Sequence, residues 1–235
     1  MQRHADQVAQ GLSDKTVLRC APKTGAERSK VDHNGVPVSL VKCERMEAQE
    51  VAWITGMLEK HVEPLLVGDV SSYAAGRKRA WMPYEAPLDS PGNKGRPFVP
   101  GVLNKEIWAW VKAKCEKHGF SPDTCLISKG GSIKAHRDTT YAAEWAFGIN
   151  LGGCRWSIAK SRDSATDFYN MRLVGGEVFK FNCKFVHKVE EAAEDRWSIN
   201  AWKISDSYSA RENNVRGRLE QMLNSNPEVR KFLAG

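Results

Sequence analysis

Arg196-Trp197-Ser198-Ile199-Asn200-Ala201-Trp202 is the stretch whose reading decides the fold. Side chains of a strand alternate between its two faces, so Arg196, Ser198 and Asn200 share one face, and Trp197, Ile199 and Ala201 the other. Such a strand packs its apolar face on a core and turns polar groups the other way. An arginine enclosed by a β-rich core needs an anion, because an unpaired buried charge is too costly. The planar guanidinium fork suits a carboxylate, and the Ser198 hydroxyl adds a donor to the same group.

The segments upstream have the same character. Cys125–His136, Ala143–Leu151, Cys154–Ala159, Phe168–Val174, Glu177–Asn182 and Phe185–Glu190 are short and rich in β-branched and aromatic residues, and Gly152-Gly153 and Gly175-Gly176 separate several of them. They predict consecutive strands in a sandwich or barrel with helices packed outside, an α+β fold with a mainly β core. Trp145, Phe147, Trp156 and Trp202 are expected in the core. Two helices precede the strands. One covers 46–62 with Val51, Ile54, Met57 and Leu58 on one face; the other is capped by Asn104 and ended by Gly119. Residues 68–101 carry enough Gly and Pro to predict a long loop, and a strand is expected at Val36–Val41. Two helices close the chain, the second beginning at Asn226-Pro227. This predicts a single domain over 1–235: a support region 1–123 with a candidate lid at 68–101, a core at 124–205, and C-terminal helices in 206–235.

Composition narrows the class. With 235 residues, 41% of them hydrophobic, the chain can bury a sizeable core. No apolar run approaches bilayer length and the N-terminus lacks the apolar centre of a secretory signal, so no membrane partner is expected and the location is read as cytoplasmic. The six cysteines include no C-x-x-C pair, which argues against a zinc ribbon and for reduced, packed thiols. A net charge of +7 suits a polyanion and equally suits many proteins without one.

His136-Arg137-Asp138 closes one predicted strand and His187 lies in another. Residues two apart on a strand point the same way, so one imidazole and one carboxylate reach a common ion. Two histidines and a carboxylate are the facial ligand set of non-haem Fe(II) sites. The competing readings are a strand-exit turn for Asp138 and a core histidine for His187.

His136-x-Asp138, His187 and Arg196-x-Ser198 together resemble the pattern of the Fe(II)/2-oxoglutarate-dependent dioxygenase superfamily, whose core is a double-stranded β-helix, or cupin-like jelly roll. Gly130-Gly131-Ser132-Ile133 and Gly176–Phe181 are similar to the strands that lead into its two histidines. The resemblance implies Fe(II) on His136, Asp138 and His187, 2-oxoglutarate as co-substrate with its far carboxylate on Arg196 and Ser198, O2 as oxidant, and hydroxylation of a C–H bond. AlkB-like nucleic-acid demethylases in that superfamily usually carry Asn-x-Tyr where this chain has Cys125-Leu126-Ile127. That departure, with the Arg-x-Ser, looks more like hydroxylases of small molecules or amino-acid residues. For a nucleobase in DNA or RNA stand Arg77, Arg79, Trp81 and Tyr84, basic and aromatic side chains that can contact phosphates and stack on bases. Tyr141, just after the H-x-D, is a candidate for lining the site. A non-catalytic jelly roll that binds metal or nucleic acid is the alternative from another class.

Overall fold

The computed structural model describes residues 31–32, 35–86, 98–138, 142–205 and 215–234. In chain order they form β1 (Leu40–Arg45), α1 (Ala48–His61), a 3-10 turn at Glu63–Leu65, β2 (Val67–Gly68), β3 (Ala74–Ala75), β4 (Lys78–Met82), β5 (Tyr84–Glu85), β6 (Val99–Pro100) and α2 (Lys105–Glu116). Eight strands follow: β7 (Thr124–Lys129), β8 (Ser132–His136), β9 (Ala142–Leu151), β10 (Cys154–Ala159), β11 (Phe168–Leu173), β12 (Glu177–Asn182), β13 (His187–Glu190) and β14 (Trp197–Ile204). Helices α3 (Val215–Ser225) and α4 (Pro227–Ala234) end the chain. Among the described residues, no helix is long and apolar enough to cross a membrane.

The strands build a seven-stranded sheet, β1-β12-β9-β14-β7-β4-β2, facing a five-stranded one, β11-β10-β13-β8-β3. From β7 to β14 the chain winds between the two sheets in antiparallel pairs, the jelly-roll path, as an open sandwich rather than a closed barrel. The apolar face of β14 explains the outer layer. Trp197, Ile199 and Ala201 are buried with Ile54 and Leu58 of α1 and Ile107 and Val111 of α2. Each such large side chain contributes about 1.5–3 kcal/mol of transfer free energy, an upper bound in absolute terms. Asn104 caps α2 as predicted, its Oδ1 accepting from the Ile107 amide at 3.0 Å.

Three sequence expectations are corrected. The strand predicted at Val36–Val41 begins at Leu40, because Pro37 lacks an N–H and its carbonyl closes a turn onto the Leu40 amide. The predicted loop 68–101 holds β2 to β6, and β4 lies within the larger sheet with Arg79, Ala80, Trp81 and Met82 all buried. Its Gly and Pro mark boundaries between very short strands rather than one irregular run, although 87–97 lies outside the described residues. Cys125–His136, read as one strand, is two, and Gly130-Gly131 carries the chain from the larger sheet to the smaller.

Glu44 on β1 is tied to α2 by Lys114 at 2.9 Å and by Lys117. Burial raises the pKa of the Glu44 carboxyl, but hydrogen bonds from Lys117 and Lys114 and their charges outweigh it and bring it down to about 2. A carboxylate depressed on folding stabilises the protein above its ordinary pKa of 4.5 and loses that contribution as pH falls from there toward 2. Glu44→Gln is therefore expected to cost about 1–2 kcal/mol at pH 7, with the difference from wild type gone by about pH 2 in denaturant titrations across that range. An unchanged difference at both ends would remove the ion pair from this role.

Candidate active site

β13 and β8 pair so that His187 lies directly opposite His136, with ring centroids 4.4 Å apart. Asp138, two residues past His136, is held by its own amide on the Cys183 carbonyl at 3.0 Å. This brings Asp138 Oδ1 to 3.5 Å from His136 Nε2 and 3.4 Å from His187 Nε2. One ligand atom from each residue lies within 4.8 Å of the others.

The remaining polar atoms of the three residues are engaged elsewhere. His136 Nδ1 bonds the Lys134 carbonyl at 2.8 Å and His187 Nδ1 the Phe185 carbonyl at 3.0 Å. A carbonyl only accepts, so each neutral ring carries its proton on Nδ1 and leaves the Nε2 lone pair free. Trp202 Nε1 donates to Asp138 Oδ2 at 2.7 Å, which leaves Oδ1 facing the histidines. Burial lowers the pKa of His136, which favours the neutral ligand form. Burial raises the Asp138 pKa, but the two imidazoles beside it, His187 foremost, overcome this and hold the carboxyl far below the usual range, so Oδ1 faces the rings as an anion. Two neutral imidazole nitrogens and one carboxylate oxygen converging from one side fit a divalent metal of the Fe(II) type.

The triad opens on a cavity of about 300 Å³ between the sheets. Arg196, Ser198 and Asn200 line it, as the alternation of β14 predicted, and so does Trp202. Arg196 is 6% exposed, donates through Nε to Asn150 Oδ1 at 2.8 Å, and forms no ion pair with a carboxylate among the described residues. Burial lowers the pKa of its guanidinium. Ser198 Oγ and Ser128 Oγ are 2.8 Å apart beside it.

The residues predicted to meet substrate are placed unequally. Arg77, Arg79 and Trp81 line the cavity, but both guanidiniums are engaged. Arg77 Nη2 lies 2.6 Å from Asp69, and Arg79 lies 2.9 Å from Glu85 and 3.6 Å from Asp69. Tyr84 is buried edge-on against Phe98 and does not line the cavity. Tyr141 lies outside the described residues. Trp156 and Trp202, expected as core alone, also wall the cavity. Sequence reasoning missed three neighbours. Trp202 was legible by continuing the β14 alternation two residues beyond Asn200. Asn150 stood out as the amide in Ala146-Phe147-Gly148-Ile149-Asn150-Leu151. Tyr73, stacked on the His136 ring at 5.5 Å, gave no sequence signal.

No family model matches the chain, and no curated protein does. Solved structures do. The structure of OsALKBH1 is similar at 12% identity over 71% of this chain and 98% of that one, with a TM-score of 0.54. A Pseudomonas putida prolyl-4-hydroxylase is similar at 13% identity over 70% of this chain and 91% of that one, with a TM-score of 0.50. What this chain shares with these neighbours is the jelly-roll fold.

Proposed function

We propose that this chain is an Fe(II)/2-oxoglutarate-dependent dioxygenase that hydroxylates a C–H bond of its substrate. The observation that carries the reading is one cavity holding both a three-atom facial donor set and a buried guanidinium with no carboxylate partner among the described residues. A metal site alone has no use for the second feature. His136, Asp138 and His187 would hold the iron. Arg196 and Ser198 would bind the far carboxylate of 2-oxoglutarate by charge-assisted hydrogen bonds. Iron and 2-oxoglutarate, once bound there, would supply oxygen activation coupled to decarboxylation to succinate and CO2. Phe181, edge-on to His187 at 5.0 Å, and Trp156 give the site apolar walls that exclude water.

The substrate class we favour is a small molecule or an amino-acid side chain. Arg77 and Arg79 are committed to Asp69 and Glu85, which leaves Lys78 as the exposed cation of β4. A nucleic-acid track needs several unpaired cations, and binding would then fall steeply with salt. Screening amino acids, peptides, nucleosides and oligonucleotides for substrate-stimulated succinate release tests this choice. Stimulation by oligonucleotides alone, lost at high salt, would reverse it.

The co-substrate reading is tested by anaerobic titration with Fe(II) and 2-oxoglutarate, following the visible charge-transfer band of a chelated 2-oxo acid. Wild type is expected to develop the band. Arg196→Ala should need about 10- to 150-fold more 2-oxoglutarate, the equivalent of the 1.5–3 kcal/mol of a hydrogen bond to a charged group. Equal affinity in the two proteins would remove Arg196 from the site's chemistry.

A further inference from the structure

Asn150 sits on β9 opposite Ser198 of β14 and is 1% exposed. Its carboxamide is fully occupied. Oδ1 accepts from Arg196 Nε at 2.8 Å, and Nδ2 donates to the Gly152 carbonyl at 2.7 Å and to Glu177 Oε2 at 2.8 Å. Arginine only donates, while a carbonyl and a carboxylate only accept, so the amide has one possible orientation. Glu177 is fixed in turn, because its carboxylate accepts the Val174 amide at 3.0 Å and the Gly175 amide at 2.9 Å. Burial raises the Glu177 pKa, but these hydrogen bonds outweigh it and keep the carboxylate an acceptor. A continuous chain of bonds thus runs from the β11–β12 turn through Glu177 and Asn150 to Arg196.

We infer that Asn150 is a positioning residue that aims Arg196 at the distal carboxylate of the co-substrate, with Glu177 holding Asn150 in place; this rests on the dioxygenase reading above. By engaging Nε, Asn150 fixes the plane of the guanidinium and leaves its Nη nitrogens for the ligand. A neutral amide does this without cancelling the charge the ligand needs. A carboxylate in the same place would satisfy the arginine and leave nothing for a second anion.

The test compares two 2-oxo acids on Mn(II)-loaded protein by calorimetry. 2-Oxoglutarate carries the distal carboxylate and 2-oxobutyrate lacks it. Asn150→Ala is expected to weaken 2-oxoglutarate by about tenfold or more, as expected for disturbing a charge-assisted bond, while Mn(II) and 2-oxobutyrate affinities stay within about twofold. Should that variant not fold, Asn150→Asp carries the same test at nearly unchanged volume. It keeps the acceptor for Arg196 but cancels its charge and repels Glu177, so discrimination between the two acids should again collapse. Unchanged 2-oxoglutarate affinity, or equal weakening of both acids, would overturn the inference. Wild-type protein that binds Mn(II) yet shows no preference for 2-oxoglutarate would overturn the dioxygenase reading, and the inference with it.

Discussion

Asp138→Ala is expected to lose both metal binding and turnover while keeping the fold. The variant leaves two neutral imidazoles facing each other at 4.4 Å, with no anionic oxygen to complete the facial set. On the proposed reading the metal binds only the folded protein, so wild type at 100-fold metal over Kd should gain about 2.7 kcal/mol of stability, and Asp138→Ala should gain nothing. Thermal unfolding with and without Mn(II) reads this directly. Asp138→Asn is the sharper variant, because Trp202 decides how its amide turns. The indole N–H sits 2.7 Å from Oδ2 and only donates, so it selects the carboxamide oxygen. The NH2 group then faces the two Nε2 lone pairs and fills the metal position with protons. That variant should fold at least as stably as metal-free wild type and be as inactive as the alanine. Retention of wild-type Mn(II) affinity by Asp138→Asn would take the carboxylate out of the ligand set.

How much of this was legible in the sequence follows from which relations are local. The β14 alternation and the Asn104 cap are set by neighbours along the chain and read correctly, and the His136-x-Asp138 spacing, equally local, brings an imidazole and a carboxylate together. The partner of His136 is not local. Its position opposite His187 depends on the whole winding from β8 to β13, and only the resemblance to a known pattern joined the two. β4 was hidden for a different reason. Its neighbours are turns and two-residue strands, so the Gly and Pro around it outweighed a five-residue run that contains two cations. Of the two, Lys78 is exposed, whereas Arg79, read as free to contact phosphate, is buried beside the cavity against Glu85 and Asp69. Asn150 and Trp202 stand at legible strand positions, but each acts on another side chain, and hydrogen bonds between distant strands leave no spacing that assigns the partner.

Gly131→Ala is expected to be among the most destabilising single substitutions in the chain, costing about 3–5 kcal/mol of a total that is typically about 5–15. Gly130 and Gly131 both take left-handed backbone, at φ 62° and 65°, and this turn moves the chain from β7 to β8. A Cβ on Gly131 would lie 2.4 Å from the Arg77 amide nitrogen and 2.6 Å from the Ala75 carbonyl oxygen. Both are backbone atoms, one at the end of β3 and one in the segment joining it to β4, and no rotamer relieves the clash. Relief would require β3 to leave β8, where Ala74 pairs with Ile133 and Ala75 with Ser132. Those pairs lie on the strand that ends at His136, so the strain falls on the proposed metal site as well as on the fold. Gly153→Ala is the control, since a Cβ there meets nothing within 4 Å, and it should stay within about 0.5 kcal/mol of wild type. Denaturant titration of both variants decides the matter. A Gly131→Ala protein within about 1 kcal/mol of wild type would mean that the hinge can open without cost, and that something other than this turn sets the angle between H-x-D and His187.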